Sequence, residues 1–387
     1  MPRADTTDRA GRLGSLLSAS TSLVAVLIAV RVVVLGIAVF NVHTHPVLDQ
    51  DIRRFEEVAT EQGRPWRDSQ LEYPIGEVLL IFVIAGHGLA TTATVTALLA
   101  FASDLGIAWL LRRQWGREAA MAYLIAGLPL LVFIYLRLDL VSVFLAVLGM
   151  ALCRSDRQRS GGVTLAGAVL FRVWPLVLLP ALLLSRRYRA FAWAAGGVAI
   201  GGVAWVAWGG LHAPMEVLTY RGATGWEIGS TLGVLVWIVG RASVRFEAGS
   251  WRVGHAPAWA RFVSAAGLCV ALAAIWMRAR RWGMSLEGAP AAAAVAALLF
   301  FSPVLSHQYV VWLLPWAAIA GSEGDAVTFG LTCAVAVLTV VPDLIASHHG
   351  LYQAVTLTRD VLLATTVLAW LRRTMPSKPY SDLTRRV

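Results

Sequence analysis

Apolar residues run in long blocks, separated by short polar intervals, along almost the whole chain. The blocks fall at Ser18 to Phe40, Pro74 to Ala90, Thr94 to Leu111, Ala119 to Leu136, Leu140 to Cys153 and Val163 to Leu184. They continue at Phe191 to Trp208, Trp259 to Met277, Pro290 to Phe301, Val310 to Ala320, Val327 to Val341 and Val355 to Leu371. A helix that crosses a bilayer needs about 20 apolar residues. Blocks of this kind, repeated this often, predict an all-α, polytopic membrane protein with roughly 11 to 13 transmembrane helices. Little chain remains for a soluble domain, so residues 1–387 are expected to form one membrane domain.

Four places depart from simple crossing helices. Residues 41–73 form a long polar interval in which Ile52, Phe55 and Val58 recur at helical spacing, which predicts a short amphipathic helix on the membrane surface. The parity of crossings between Tyr73 and Arg112 must be odd, which makes Pro74 to Ala90 a re-entrant or surface segment. Val163 to Leu184 is interrupted by Arg172 and Pro175 and is expected to be two short helices meeting at a wet cavity. The loop 211–257 contains one apolar stretch, Leu232 to Val239, too short to cross. A re-entrant or interfacial helix is expected there, with Trp226, Trp237 and Trp251 at headgroup depth.

Hydrophobic residues make up 58% of the 387 positions and charged residues 14%, a balance that suits lipid as solvent. The net charge of +10 would suggest nucleic acid in a soluble protein, but here the arginines cluster between apolar blocks. The clusters at Arg112 to Arg117, Arg154 to Arg159, Arg186 to Arg189, Arg278 to Arg281 and Arg372 to Arg373 mark a cytoplasmic side, and no nucleic-acid partner is expected. The remaining polar residues then face outward. Lys378 is the single lysine among many arginines, which hints at a GC-rich bacterial source. Residues 1–14 are polar, and the block after them is too long for a removable signal peptide, so both termini are expected in the cytoplasm of a bacterial inner membrane. Cys153, Cys269 and Cys333 lie in apolar blocks, where packing is their expected role. Arg31 sits inside the first block as a candidate lipid-phosphate contact or intramembrane pair, and Asp104 and the Arg359 and Asp360 pair are read as intramembrane pairing or a polar seam.

The first candidate for chemistry is Asp49-Gln50-Asp51, just beyond the first helix. A carboxylate there suits a divalent cation or general-base work on a hydroxyl, and two solvated loop aspartates explain the spacing as well. His43 and His45 are close, yet the spacing fits no specific metal template, and no metal or other cofactor is assigned.

Several elements together carry a resemblance. Asp51-Ile52-Arg53-Arg54-Phe55, Gly63-Arg64-Pro65-Trp66-Arg67-Asp68 and Glu72-Tyr73-Pro74 follow one another in the first polar interval. Downstream come Arg137-Leu138-Asp139, Arg172-Val173-Trp174-Pro175, Tyr220 to Ser230, and Ser302-Pro303 with Ser306, Gln308, Tyr309 and Trp312. In order and spacing these resemble glycosyltransferase family 87, a C-type fold family of bacterial membrane enzymes. The family includes polyprenyl-phosphate-mannose-dependent mannosyltransferases of actinobacterial envelope glycolipids. Phe55 stands where the family has tyrosine, Ile75 where it has a second proline, and Gly229 stands between Glu227 and Ser230.

The resemblance implies a C-type glycosyltransferase fold and a hexosyltransferase, with mannose the default sugar. The implied donor is a polyprenyl-phosphate sugar, the acceptor an envelope glycolipid or glycan, and membrane lipids surround the enzyme. The family's catalytic aspartate falls on Asp51, which would deprotonate the acceptor and give inversion. Arg172 and Arg221 are the candidates for the donor phosphate. Asp49, Tyr73, Arg137, Asp139, Glu227, His307, Gln308 and Tyr309 are the candidates for substrate binding. His348 and His349 are expected to face solvent. The alternative reading is a transporter or flippase for a lipid or lipid-linked sugar, which would place its charged sites near the midplane.

Overall fold

Helix α1 (Thr21–Thr44) begins the residues described by the computed structural model, which are 21–44, 50–219, 223–240, 242–282, 285–344 and 348–374. It is apolar all round, and its Val26, Val33 and Phe40 are more than half exposed, the pattern of a helix whose surroundings are lipid. Helix α2 (Gln50–Thr60) has the opposite character. It is amphipathic and buries Ile52, Phe55 and Val58, the three positions expected from spacing.

Helix α3 (Ile75–Ile84) is too short to cross and stays at one end of the bundle. Its Gly76 lies against the Leu170 carbonyl, and its Ile84 carbonyl accepts the Thr92 hydroxyl at 3.4 Å, at the start of α4 (Leu89–Gln114). Between Tyr73 and Arg112, α4 alone is long and apolar enough to cross. Next come α5 (Arg117–Ala126), a 3-10 turn at Leu128–Leu130, α6 (Leu131–Ile134) and α7 (Asp139–Arg154). Helix α8 (Gln158–Phe171) stops at Arg172, and after a 3-10 segment at Trp174–Leu178 the chain returns through α9 (Leu179–Leu184). Pro175 cannot donate to a helix ladder, so the break follows from sequence.

Helix α10 (Tyr188–Gly209) runs parallel to α8. Near the start of both, a Cβ on Gly162 would stand 2.3 Å from the Ala190 carbonyl; near their far ends a Cβ on Gly201 would stand 2.2 Å from Leu170. Only glycine permits so close an approach. Gly162→Val is expected to force the two helices apart and destabilise the protein by about 1–3 kcal/mol. Thermal unfolding in detergent measures this, and an unchanged Tm would contradict the packing.

Helix α11 (His212–Thr219) leads to the part of the chain that departs from the all-α expectation. Residues 226–253 carry a three-stranded antiparallel sheet in the order β1 (Trp226–Glu227), β3 (Ser250–Val253), β2 (Val244–Glu247), with α12 (Thr231–Gly240) between β1 and β2. β2 and β3 join through Ala248 and Gly249, both with positive φ (51° and 79°), the two-residue turn whose twist suits a hairpin. The remainder is helical: α13 (Ala258–Trp282), α14 (Ala289–Phe301), a 3-10 segment at His307–Trp312, α15 (Leu314–Ser322), α16 (Ala326–Leu344) and α17 (His349–Arg372).

Among the described residues five helices are long and apolar enough to span a membrane: α1, α4, α10, α13 and α17. The pair Arg117–Ala126 and Leu128–Ile134, bent by 41°, makes a sixth if taken as one span. The chain is thus a largely helical polytopic membrane protein. Helices of spanning length do not supply the expected 11 to 13 crossings, because several apolar blocks fold as short or broken helices, including α9, α14 and α16.

The two ends of the bundle differ in chemistry. At one end Glu287 accepts hydrogen bonds from Trp115 (3.0 Å), Arg154 (3.0 Å) and Arg187 (2.9 Å), while Arg373 pairs with Asp325 and its carbonyl accepts from Arg278. Four of the five arginine clusters therefore converge through named contacts. Inside the bundle Arg31 is 1% exposed and donates to Asp104 at 2.8 Å, so it is the intramembrane pair of the two readings and does not reach a lipid phosphate. Cys153 is buried, Cys269 exposed and Cys333 half-buried, and all three are free thiols.

Candidate functional site

The end of the bundle opposite the arginine clusters collects charged groups from many elements. Asp51 sits in the first turn of α2, Tyr73 in the loop before α3, Glu77 in the first turn of α3, and Arg137 and Asp139 at the start of α7. Arg172 lies in the break after α8, Glu227 in β1, and His307, Gln308 and Tyr309 in the 3-10 segment after α14. Asp49 and Arg221 fall outside the described residues, as do His45 and the side chain of His43.

Asp51 is ion-paired with Arg137, and both side chains keep access to solvent, at 27% and 29%. The pair marks the open part of the site. Deeper, the Arg172 guanidinium lies 2.7 Å from Glu77 and 3.5 Å from Asp139, carboxylates that are 0% and 1% exposed. Arg172, a candidate for the donor phosphate, thus holds Glu77 and Asp139 in place in this structure.

Aromatic rings brace this charged layer. The Arg172 guanidinium lies 5.7 Å from the Tyr73 ring centre, and Tyr73 meets Phe55 edge-on at 5.7 Å. The Trp66 indole donates to the Tyr73 carbonyl at 3.2 Å from a backbone with φ of 62°, and this buried, left-handed tryptophan fits beside Gly209 of α10. Trp174, Trp312 and Tyr309 form a stack with centre distances of 5.5 Å and 4.3 Å. The Trp312 indole donates to Asp139 at 3.0 Å and the Trp174 indole to the Ser142 hydroxyl at 2.9 Å. Asp139 thus serves the scaffold.

Glu227 and the 3-10 segment show the same double character. The Glu227 carboxylate accepts the Leu305 amide at 2.6 Å, which ties β1 to the loop carrying His307. Burial raises its pKa above the usual carboxylate range, opposed by Arg252, the Leu305 amide, Arg359 and Arg137. The Tyr73 phenol is pushed well up, first by burial and then by Glu72, Asp51 and Glu77. Gln308 accepts the Ser306 hydroxyl, and the His307 ring stacks on Phe133 at 5.6 Å.

Burial foremost, then Arg359 and Arg137, push His307 down to about 4, so the ring is neutral at pH 7. In the unfolded chain its pKa is about 6.5. The folded state therefore excludes a proton that the unfolded state accepts. Its contribution to pH dependence is a loss of stability as pH falls from about 6.5 towards 4, reaching ~3 kcal/mol. His307→Gln is expected to flatten the pH profile of Tm in that window. An unchanged slope in the variant would mean that His307 is protonated without penalty.

Among the described residues no group of three or more metal-ligating side chains converges. Three contributors escaped the sequence reading. Glu77 is a lone carboxylate inside an apolar block, and its only linear signal was its place just after Pro74. Its Oε2 is buried and has no hydrogen-bond partner among the described residues, so the site retains capacity for one more donor. Arg359 looked like part of an intramembrane pair, and it does bind Asp360 at 2.7 Å, but it also donates to the Gly229 carbonyl and adds to the field on Glu227 and His307. Arg252 was hidden in an unrecognised strand, from which it donates to the Gly225 carbonyl at 3.1 Å. No protein-family model matches this chain, and no curated protein sequence matches it.

Proposed function

We propose that this protein is a membrane glycosyltransferase that moves a hexose, by default mannose, from a polyprenyl-phosphate donor to a hydroxyl of an envelope glycolipid or glycan. One observation carries the reading. Of the three carboxylates Asp51, Glu77 and Asp139, Asp51 alone is open to solvent, and it lies beside a guanidinium at the end of the bundle opposite the arginine clusters. By the positive-inside rule that end is extracytoplasmic, where a lipid-linked donor and no nucleotide sugar would be met.

In this reading Asp51 takes the proton of the acceptor hydroxyl as its oxygen attacks the anomeric carbon. The bond from that carbon to the phosphate oxygen breaks, the electron pair leaves with the polyprenyl phosphate, and the anomeric configuration inverts. Arg137, released from Asp51 when the carboxylate is protonated, is free to meet the charge growing on the phosphate. Coupled release of this kind links base and leaving group. Tyr73, Gln308 and Tyr309 offer neutral hydrogen-bonding groups for sugar hydroxyls, while Arg172, Glu77, Asp139 and Glu227 hold the frame.

Purified protein in proteoliposomes, given radiolabelled polyprenyl-phosphate mannose and an envelope glycolipid extract, tests the proposal. Labelled glycoside is the expected product. Movement of the intact labelled lipid between leaflets without glycoside formation would overturn it in favour of a flippase.

A further inference from the structure

A cleft of about 290 Å³ opens at the arginine-bearing end of the bundle, where the turn between α7 and α8 meets the start of α10. Its lining is Asp156, Arg157, Gln158, Arg159, Ser160 and Arg189. All three arginines are exposed, and none of them forms an ion pair among the described residues, whereas Arg154 and Arg187 nearby both bind Glu287. Asp156, in a left-handed turn with φ of 58°, faces the Gln158 amide at 3.1 Å, so the lining keeps a surplus of positive charge. The close parallel packing of α8 and α10 through Gly162 brings Arg157 and Arg159 beside Arg189.

A second feature continues from the cleft. The Arg159 guanidinium lies 4.6 Å from the centre of the Trp193 ring, one turn of α10 beyond Arg189. Along that helix face Trp193, Ile200 and Val203 are 39%, 74% and 71% exposed. Spacings of four, seven and three residues keep Arg189, Trp193, Ile200 and Val203 on one side of the helix, so a cationic headgroup-sized cleft opens onto an apolar ridge. Forked guanidinium donors match a phosphate, and a tryptophan beside them fits headgroup depth. A free phosphate would use the cleft but gain nothing from the ridge.

We propose that this cleft binds the phosphate of an anionic phospholipid, with the acyl chains lying along the exposed face of α10. The site is separate from the carboxylate cluster and does not depend on the function proposed for it.

Native mass spectrometry of the full-length protein released from phosphatidylcholine nanodiscs doped with phosphatidylglycerol tests the assignment. Wild type is expected to retain phosphatidylglycerol. The triple variant Arg157→Gln, Arg159→Gln, Arg189→Gln is expected to hold it about a hundred-fold more weakly, at roughly five-fold per arginine. A control that removes three exposed arginines elsewhere at this end, Arg112→Gln, Arg113→Gln, Arg117→Gln, is expected to retain the lipid. Equal retention by wild type and the cleft variant overturns the proposal, and so does equal loss in both triple variants. Displacement of the lipid by inorganic phosphate at equal concentration overturns the lipid as its source. Should the glutamine variant fail to fold, Arg157→Lys, Arg159→Lys, Arg189→Lys keeps the charge and loses the forked donors. Retention about ten-fold weaker is expected there, and unchanged retention counts against the site.

Discussion

Asp51→Asn is expected to lower sugar transfer by about 10²- to 10⁴-fold while leaving the protein folded, the range over which a positioned general base acts. Asparagine preserves the size of the side chain and a hydrogen-bond acceptor for Arg137, but it cannot take up the acceptor proton. Folding should survive because Asp51 is partly exposed at the first turn of a helix whose packing rests on Ile52, Phe55 and Val58. The informative comparison is single-turnover transfer by wild type and variant at matched donor occupancy. If the variant turns over at the wild-type rate, Asp51 is not the base. A loss confined to donor binding would instead point to disturbance of Arg137.

The largest expected effect on stability lies elsewhere. Asp104 accepts three hydrogen bonds within the bundle, from Arg31 at 2.8 Å, Tyr123 at 2.7 Å and Tyr135 at 2.9 Å. Arg31 also donates to the carbonyls of Leu124 at 3.0 Å and Leu27 at 3.3 Å. The network fastens α1, otherwise largely lipid-facing, to α4 and α5. Asp104→Ala strands a buried guanidinium and two phenols and is expected to cost about 3–5 kcal/mol. The double variant Arg31→Met, Asp104→Leu removes both charges and should recover the part of that loss that comes from the unpaired guanidinium, while the two phenols stay without their acceptor. Thermal unfolding in detergent measures both. A single variant within about 1 kcal/mol of wild type would mean that water or lipid reaches Arg31 after all.

The amphipathic α2, the break at Arg172, the short helix before Gly240 and the grouping of arginines at one end were legible in the sequence, because each depends on local order. Apolar spacing, a proline that cannot donate, and charges excluded from hydrocarbon act within a turn or two of the chain. The β2–β3 hairpin leaves a signal too, the alternation from Val244 to Val253 about Ala248-Gly249, but the signal is short and set in a long apolar background. Asp51 stood out through its place just beyond the first apolar block and through the family resemblance. Its pairing with Arg137 did not, since 86 residues separate the two positions.

Sequence by itself thus determined that this is a membrane protein and which end carries the arginines, because hydrophobic partition is a property of each segment alone. Tertiary structure decided which helices are too short to cross and which carboxylates are sealed. It also decided that Arg172 is held by Glu77 and Asp139 while Arg137 stays at the open edge beside Asp51. Those outcomes depend on pairs of charges brought within a few ångströms by packing, and the energy of such a pair changes steeply with distance and burial, neither of which is written in the order of residues.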